Sequence, residues 1–188
     1  MDNQILFSFE PSGASAVTAG QDGLTTAGVP ASEKLAEHDR PKIRPRKPRF
    51  ESAATTFDLP AALLAGIASR ESRGGAVLDA QGFGDNGNAF GIMQVDKRFH
   101  DLQGTDDPGS QEHVDQATQI LSDFFKKVQT KHPDWPTERQ LQGAVAAYNS
   151  GVGNVQTLAG MDKGTTGNDY SNDVWARARH YATHWNYL

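Results

Sequence analysis

The chain has 188 residues, 37% of them hydrophobic and 22% charged, enough for one globular domain with a sizeable core. It contains no cysteine, which excludes a disulfide framework and thiolate metal sites, and no apolar run of membrane-spanning length, so no membrane partner is expected; His100, Asp96 and His113 lack metal-ligand spacing on one element, so no metal is expected either. The formal charge of −5 conceals a segregation: Arg40 to Arg49 holds six of the 18 Lys and Arg and no acid, leaving 12 bases against 23 acids elsewhere, which argues against a nucleic-acid-binding domain.

Met1 to Glu10 carries an acid where a secretory leader needs a cation, and Ser8 and Glu10 cut its apolar stretch short, so it does not read as a signal peptide. Without cysteine or leader, a cytoplasmic or non-classically secreted protein is expected. Residues 1–30 are rich in Gly, Ser, Thr and Ala with little periodicity, which predicts an extended or poorly ordered arm before a domain over 31–188. Ala31 to His38 predicts two turns of helix behind a Ser32 cap. Pro41, Pro45 and Pro48 then break the helical pattern, predicting an extended, solvated and mobile basic segment over 40–49.

Dense patterning starts at Phe57. Asp58 to Glu71 reads as a helix in which Leu63, Ile67 and Glu71, spaced by four, share an apolar stripe. A carboxyl on such a stripe at a helix C-terminus is held neutral both by burial and by the negative end of the helix dipole, and a neutral acid can protonate a leaving oxygen. The competing reading is a helix-end glutamate that turns outward or pairs with Arg70 or Arg73. Gly82 to Gln94 predicts short strands around an Asp-Asn-Gly-Asn turn. Its G-x-G-x-x-G letters lack the flanking strand and helix of a nucleotide loop, and Asp85 would repel a pyrophosphate.

Ser110 to Lys131 predicts a long helix with Val114, Ala117, Leu121, Phe124 and Val128 on its core face, and Thr137-Glu138-Arg139-Gln140 a capping box for the next helix. A short turn near Gly153 to Ala159 and a Gly/Thr loop at Gly164 to Gly167 precede a last helix carrying Tyr170, Val174, Ala178, Tyr181 and Trp185. Absent an internal repeat, this is an α+β domain, predominantly α-helical, with a small antiparallel β region.

If Glu71 is a glycosidic acid, a second carboxylate should activate water or attack the anomeric carbon, and Asp85 and Asp96 are the candidates by position. Either could instead be an ordinary turn or capping aspartate. The ordered series Ser69-Arg70-Glu71-Ser72, Gly84-Asp85, Gly91-Ile92-Met93-Gln94-Val95-Asp96-Lys97-Arg98, Ala147-Tyr148-Asn149-Ser150-Gly151, Gly164-Thr165-Thr166 and Asp169-Tyr170 closely resembles goose-type lysozyme, over roughly residues 20 to 188. The resemblance implies a lysozyme-like fold and cleavage of the β-1,4 bond between N-acetylmuramic acid and N-acetylglucosamine in peptidoglycan, or of chito-oligosaccharide, by a monomer that needs no cofactor. By position, Glu71 matches the family's proton donor, and Asp85 and Asp96 the aspartates that position water in an inverting reaction. Gln94, His100, Ile120, Phe124, Tyr148, Asn149 and Tyr170 match cleft residues, although Ile120 and Phe124 also fit a core by periodicity, Tyr148 and Tyr170 ordinary packing aromatics, and His100 a surface site. Two departures stand out: many members are secreted with disulfides, so an extracellular site stays open despite the missing cysteines, and relatives usually continue a helix through the triple-proline stretch. The alternatives are a lytic transglycosylase, which closes the substrate's own hydroxyl onto the anomeric carbon, and a non-catalytic sugar-recognition protein.

Overall fold

The stretch Ala61–Ser72 is apolar on every side, and a helix of that kind has no face for water. In the computed structural model, which describes all 188 residues, it runs through the centre of the molecule as α4, with Ala62 to Ser69 all buried. Its start is set by Pro60, extended at the N-cap, and its end by Arg73, left-handed at the C-cap. Around it pack α2 (Val29–Ile43), α3 (Lys47–Phe57) and α7 (Tyr170–Thr183), while α5 (Gln111–Lys131) and α6 (Thr137–Ser150) form an adjacent pair. Gly66 permits a close crossing: a Cβ there would lie 2.8 Å from the Val174 carbonyl oxygen of α7.

On one side of this bundle lies a small antiparallel sheet in the order β1 (Phe83–Gly84), β2 (Ala89–Phe90), β3 (Val95–Asp96), as the turn chemistry predicts. Phe83 pairs with Phe90 and Phe90 with Val95, so Gly84, Ala89 and Asp96 occupy one rung. No helix is long and apolar enough to cross a membrane.

Several local expectations are overturned. Residues 1–30 are not an extended arm: Asn3–Phe7 form a 3-10 turn that buries Leu6, and Ala16–Gln21 form α1 behind a Ser15 cap. The segment lacks periodicity because its backbone is satisfied by distant side chains; the Trp175 indole donates to the Leu6 carbonyl at 3.0 Å, and the Ser15 amide donates to Asp169 at 2.6 Å. The 40–49 stretch is helical throughout. Pro45 and Pro48 sit in the first turns of a 3-10 segment, Arg44–Arg46, and of α3, where no amide hydrogen is needed, and Pro41 falls in the last turn of α2. Nor is it a mobile cationic strand, since Arg40 donates to the Tyr187 carbonyl, Arg46 to that of Lys42, and Arg49 to Asp107 and Gly109.

Ser32 caps nothing. Helix α2 starts at Val29 with Gly28 as its N-cap, and the Ser32 hydroxyl instead joins the Ala14 amide to Asp173. The capping box of α6 is likewise unformed: Pro136 holds the N-cap without a side-chain bond, and Gln140 turns back to the His132 carbonyl that ends α5. On α5 the buried aromatic is Phe125, leaving Phe124 half-buried on the outer side.

Candidate active site

Glu71 is the penultimate residue of α4, flanked in sequence by Arg70 and Arg73, yet it pairs with neither. Arg70 is drawn off to Asp169 at 3.0 Å and Asp173 at 2.5 Å, and Arg73 to Asp22. What Glu71 receives is the hydroxyl of Tyr170, which donates to its Oε1 from the first turn of α7. Burial pushes the carboxyl up from the usual 4.5 to about 7; the Tyr170 bond and the Arg70 charge pull the other way, and Asp85 adds to the rise. A large fraction of Glu71 is therefore the neutral acid near neutral pH.

Arg70 is held by a buried ionic hub. Arg177 grips Asp173 through Nε at 3.1 and 3.0 Å and reaches Asp39 at 3.4 Å, and the Ser69 hydroxyl donates to Asp39 at 2.7 Å while accepting from Arg177. For Asp173, burial alone would raise the pKa, and Arg177 and Arg70 outweigh it so that the carboxyl stays anionic below its ordinary range. Three carboxylates and two guanidiniums thus satisfy one another behind α4, so Arg70 forms no ion pair with the next residue along, Glu71.

Beside this acid lies an open groove of about 430 Å³ between the β3 loop and helices α5 and α6. It gathers seven of the residues expected at a site: Gln94, Asp96, His100, Ile120, Phe124, Tyr148 and Asn149. Glu71, Asp85 and Tyr170 are not on its wall; Glu71 and Tyr170 adjoin it at the Tyr148 end, where Glu71 bears electrostatically on both tyrosine hydroxyls and their pKa values rise well above the ordinary one. Burial is the main cause in both.

The groove floor is fixed by its own hydrogen bonds. Tyr148 donates to the Met93 carbonyl at 2.7 Å, and the Met93 amide donates to Nε2 of His113 at 3.1 Å. Burial pulls His113 down to about 4, so it stays neutral and keeps that acceptor. Gln94 is wedged rather than free: its amide donates to Gly91 at 2.9 Å, and the glycine at 84 leaves space for it in this position, where a Cβ would sit 2.4 Å from its Oε1. The Asn149 side chain is used at both ends by Thr166, accepting from its amide at 2.9 Å and donating to its hydroxyl at 3.1 Å. Asp85, Asn86 and Gln94 all have left-handed backbones, with φ of 48°, 54° and 54°, a clustering of strain of the kind found at functional sites.

Two residues at the site escaped sequence reasoning. Phe99 lines the groove with 77% of its surface exposed, an aromatic in a polar loop whose signal was its placement between Arg98 and His100. Arg98 contacts both candidate aspartates, at 2.5 Å to Asp96 and 3.5 Å to Asp85, and its signal was the two-residue spacing from Asp96.

The chain is similar to known proteins over most of its length. A family model described as Lysozyme g matches residues 6–185. The chain is 45% identical over 175 residues to the Lysozyme g of Gallus gallus, covering 93% of this chain and 82% of that protein. It is 46% identical over 175 residues to that of Casuarius casuarius, covering 93% of each, and 46% over 176 residues to that of Takifugu rubripes, covering 90% and 91%.

Proposed function

The chain belongs to the lysozyme g family and is a lysozyme glycosidase, and from that premise we propose that it hydrolyses the β-1,4 bond between N-acetylmuramic acid and N-acetylglucosamine of bacterial peptidoglycan, as a monomer, with inversion. Glu71 is the general acid, Asp85 and Asp96 handle the water, and Gln94, His100, Ile120, Phe124, Tyr148, Asn149 and Tyr170 form or brace the sugar cleft. The observation that carries this reading is Glu71 itself: a carboxyl raised to about 7, its neighbouring arginines tied elsewhere, next to a groove with aromatic walls. Its proton passes to the glycosidic oxygen as that bond breaks, while water adds to the opposite face of the anomeric carbon and gives up its own proton to a carboxylate. Acid and base are both side chains, so this reaction requires no cofactor.

Two carboxylates beside the groove favour water over a transglycosylase's internal hydroxyl, and the presence of the acid favours catalysis over mere recognition. Product analysis tests the first point: a reducing end, initially of inverted anomeric configuration, is expected, and a 1,6-anhydro end would assign the alternative. Glu71→Gln tests the second. It should bind chito-oligosaccharide normally and lose about 10² to 10⁴ in turnover; a variant with full turnover would remove the acid from the mechanism.

A further inference from the structure

Asp85 and Asp96 are not neighbours by virtue of the backbone. Asp96 shares a sheet rung with Ala89 and Gly84, so β1 and β3 stand two strand spacings apart, about 10 Å, with β2 between them. Asp85 follows Gly84 into the turn with φ of 48°. One side chain crosses the gap. Arg98 engages Asp96 through its backbone amide to Oδ1 at 2.8 Å, through Nε to Oδ1 and Oδ2 at 3.0 and 3.1 Å, and through Nη2 to Oδ2 at 2.5 Å. The same Nη2 lies 3.5 Å from Oδ2 of Asp85.

The two carboxylates are therefore unequal. Both oxygens of Asp96 are occupied by a forked, charge-assisted grip, which leaves that carboxylate a weak proton acceptor. Asp85 meets the guanidinium along one edge, and its Oδ1 is free. Asp85 is also the aspartate whose charge bears on Glu71. We propose that Arg98 is a positioning residue that uses Asp96 as its anchor and draws the Asp85 carboxylate across the sheet, so that Asp85 is the working base and Asp96 is not. In the step itself, Asp85 Oδ1 takes one proton from water as the water oxygen bonds to the anomeric carbon; the glycosidic bond breaks, and its oxygen leaves with the proton of Glu71.

The proposal rests on the hydrolytic reading above. Other charges facing the triad are His100, on the same loop, Glu71 from α4, and Lys97, whose ammonium lies over the Phe83 ring at 5.3 Å. Because Arg98 and Asp85 are about half exposed, with side-chain accessibilities of 54% and 55%, their pairing should matter little to stability and its loss should appear in kcat.

The test uses the full chain with Asp85→Asn, Asp96→Asn, Arg98→Gln, Arg98→Lys and the Asp96→Asn/Arg98→Gln double variant. Steady-state kinetics would be read on chito-oligosaccharide, with carboxyl carbon NMR titration of Asp96. Asp85→Asn should lose at least about 10²-fold in kcat. Asp96→Asn and Arg98→Gln should each lose roughly tenfold in kcat with KM within about twofold, and the double variant no more than either, as expected of parts of one device. Arg98→Lys, which keeps the charge without the fork, should recover only part. In Arg98→Gln the Asp96 titration should move to higher pH, because the hydrogen bond and charge that hold it down are gone. The proposal is overturned if Asp96→Asn is the more damaging of the two aspartate variants, if the single losses multiply in the double variant, or if Arg98→Gln behaves as the parent. Glu71→Gln separates the levels: an inactive Glu71→Gln beside a normal Arg98→Gln sinks the clamp alone, whereas an active Glu71→Gln sinks the acid assignment and the clamp with it.

Discussion

Replacing Glu71 by Gln should make the protein more stable, and only above a particular pH. The carboxyl titrates near 7 in the fold against 4.5 for an ordinary glutamate, so below pH 4.5 the folded and unfolded chains both hold the proton and the group contributes no pH dependence. Between 4.5 and about 7 the unfolded chain releases it and the folded chain does not. Stability therefore falls through that window as pH rises, by about 1.4 kcal/mol per pH unit, and levels off above it, for a total of about 3 kcal/mol. Glu71 is half-buried and its groove is open to water, which reduces the expectation to about 2 kcal/mol. Glutamine has the same shape and no titration. Urea unfolding of parent and variant at pH 4 and pH 8 should thus show a stability difference that shifts in the variant's favour by about 2 kcal/mol at the higher pH, or several degrees in Tm for a chain of this size. An equal difference at both pH values, or a parent that gains on its variant as pH rises, would refute the claim that the fold holds this acid against its natural ionisation.

Tyr170→Phe removes the hydroxyl that stabilises the Glu71 anion, so the alkaline limb of the kcat/KM profile should move to higher pH by roughly one to two units, the equivalent of one charge-assisted hydrogen bond; a profile that stays put or moves down in pH–rate measurements would contradict that role. Asp173→Ala strips the shared partner from Arg70 and Arg177, and unfolding by denaturant should show a loss of about 3–5 kcal/mol, since two buried cations are left undercompensated. The same variant releases Arg70 toward Glu71, so its alkaline limb should shift to lower pH, opposite in sign to Tyr170→Phe.

Long, strongly patterned elements were legible because their burial repeats at helical spacing. Leu63, Ile67 and Glu71 did share a stripe, and the Asp-Asn-Gly-Asn turn did join two strands. Local signals failed where a distant partner captured the residue. Ser32 has every qualification of a cap, but Asp173, 141 positions away, takes its hydroxyl. The prolines of the basic stretch stop helices only in interior positions, and here two of them open new segments, which spacing alone does not reveal. At the site, the residue types and their order pointed to the groove, but the division of labour between Asp85 and Asp96 depends on which oxygens Arg98 occupies, and that is a matter of side-chain geometry. Phe124 shows the same limit: one residue of helical phase separates a core aromatic, Phe125, from one that faces the groove.

The ionic hub behind α4 also ties the start of the chain to the chemistry at its centre. Asp169 accepts from the Ser15 amide and Asp173 from the Ser32 hydroxyl, the latter in turn holding the Ala14 amide, while both aspartates restrain Arg70. Ala14, Ser15 and Ser32 line no wall of the sugar groove, yet they help decide how firmly a guanidinium is kept from the proton donor. Loosening the Ser15 and Ser32 contacts would therefore change the acidity at which Glu71 surrenders its proton, although neither residue lines the groove.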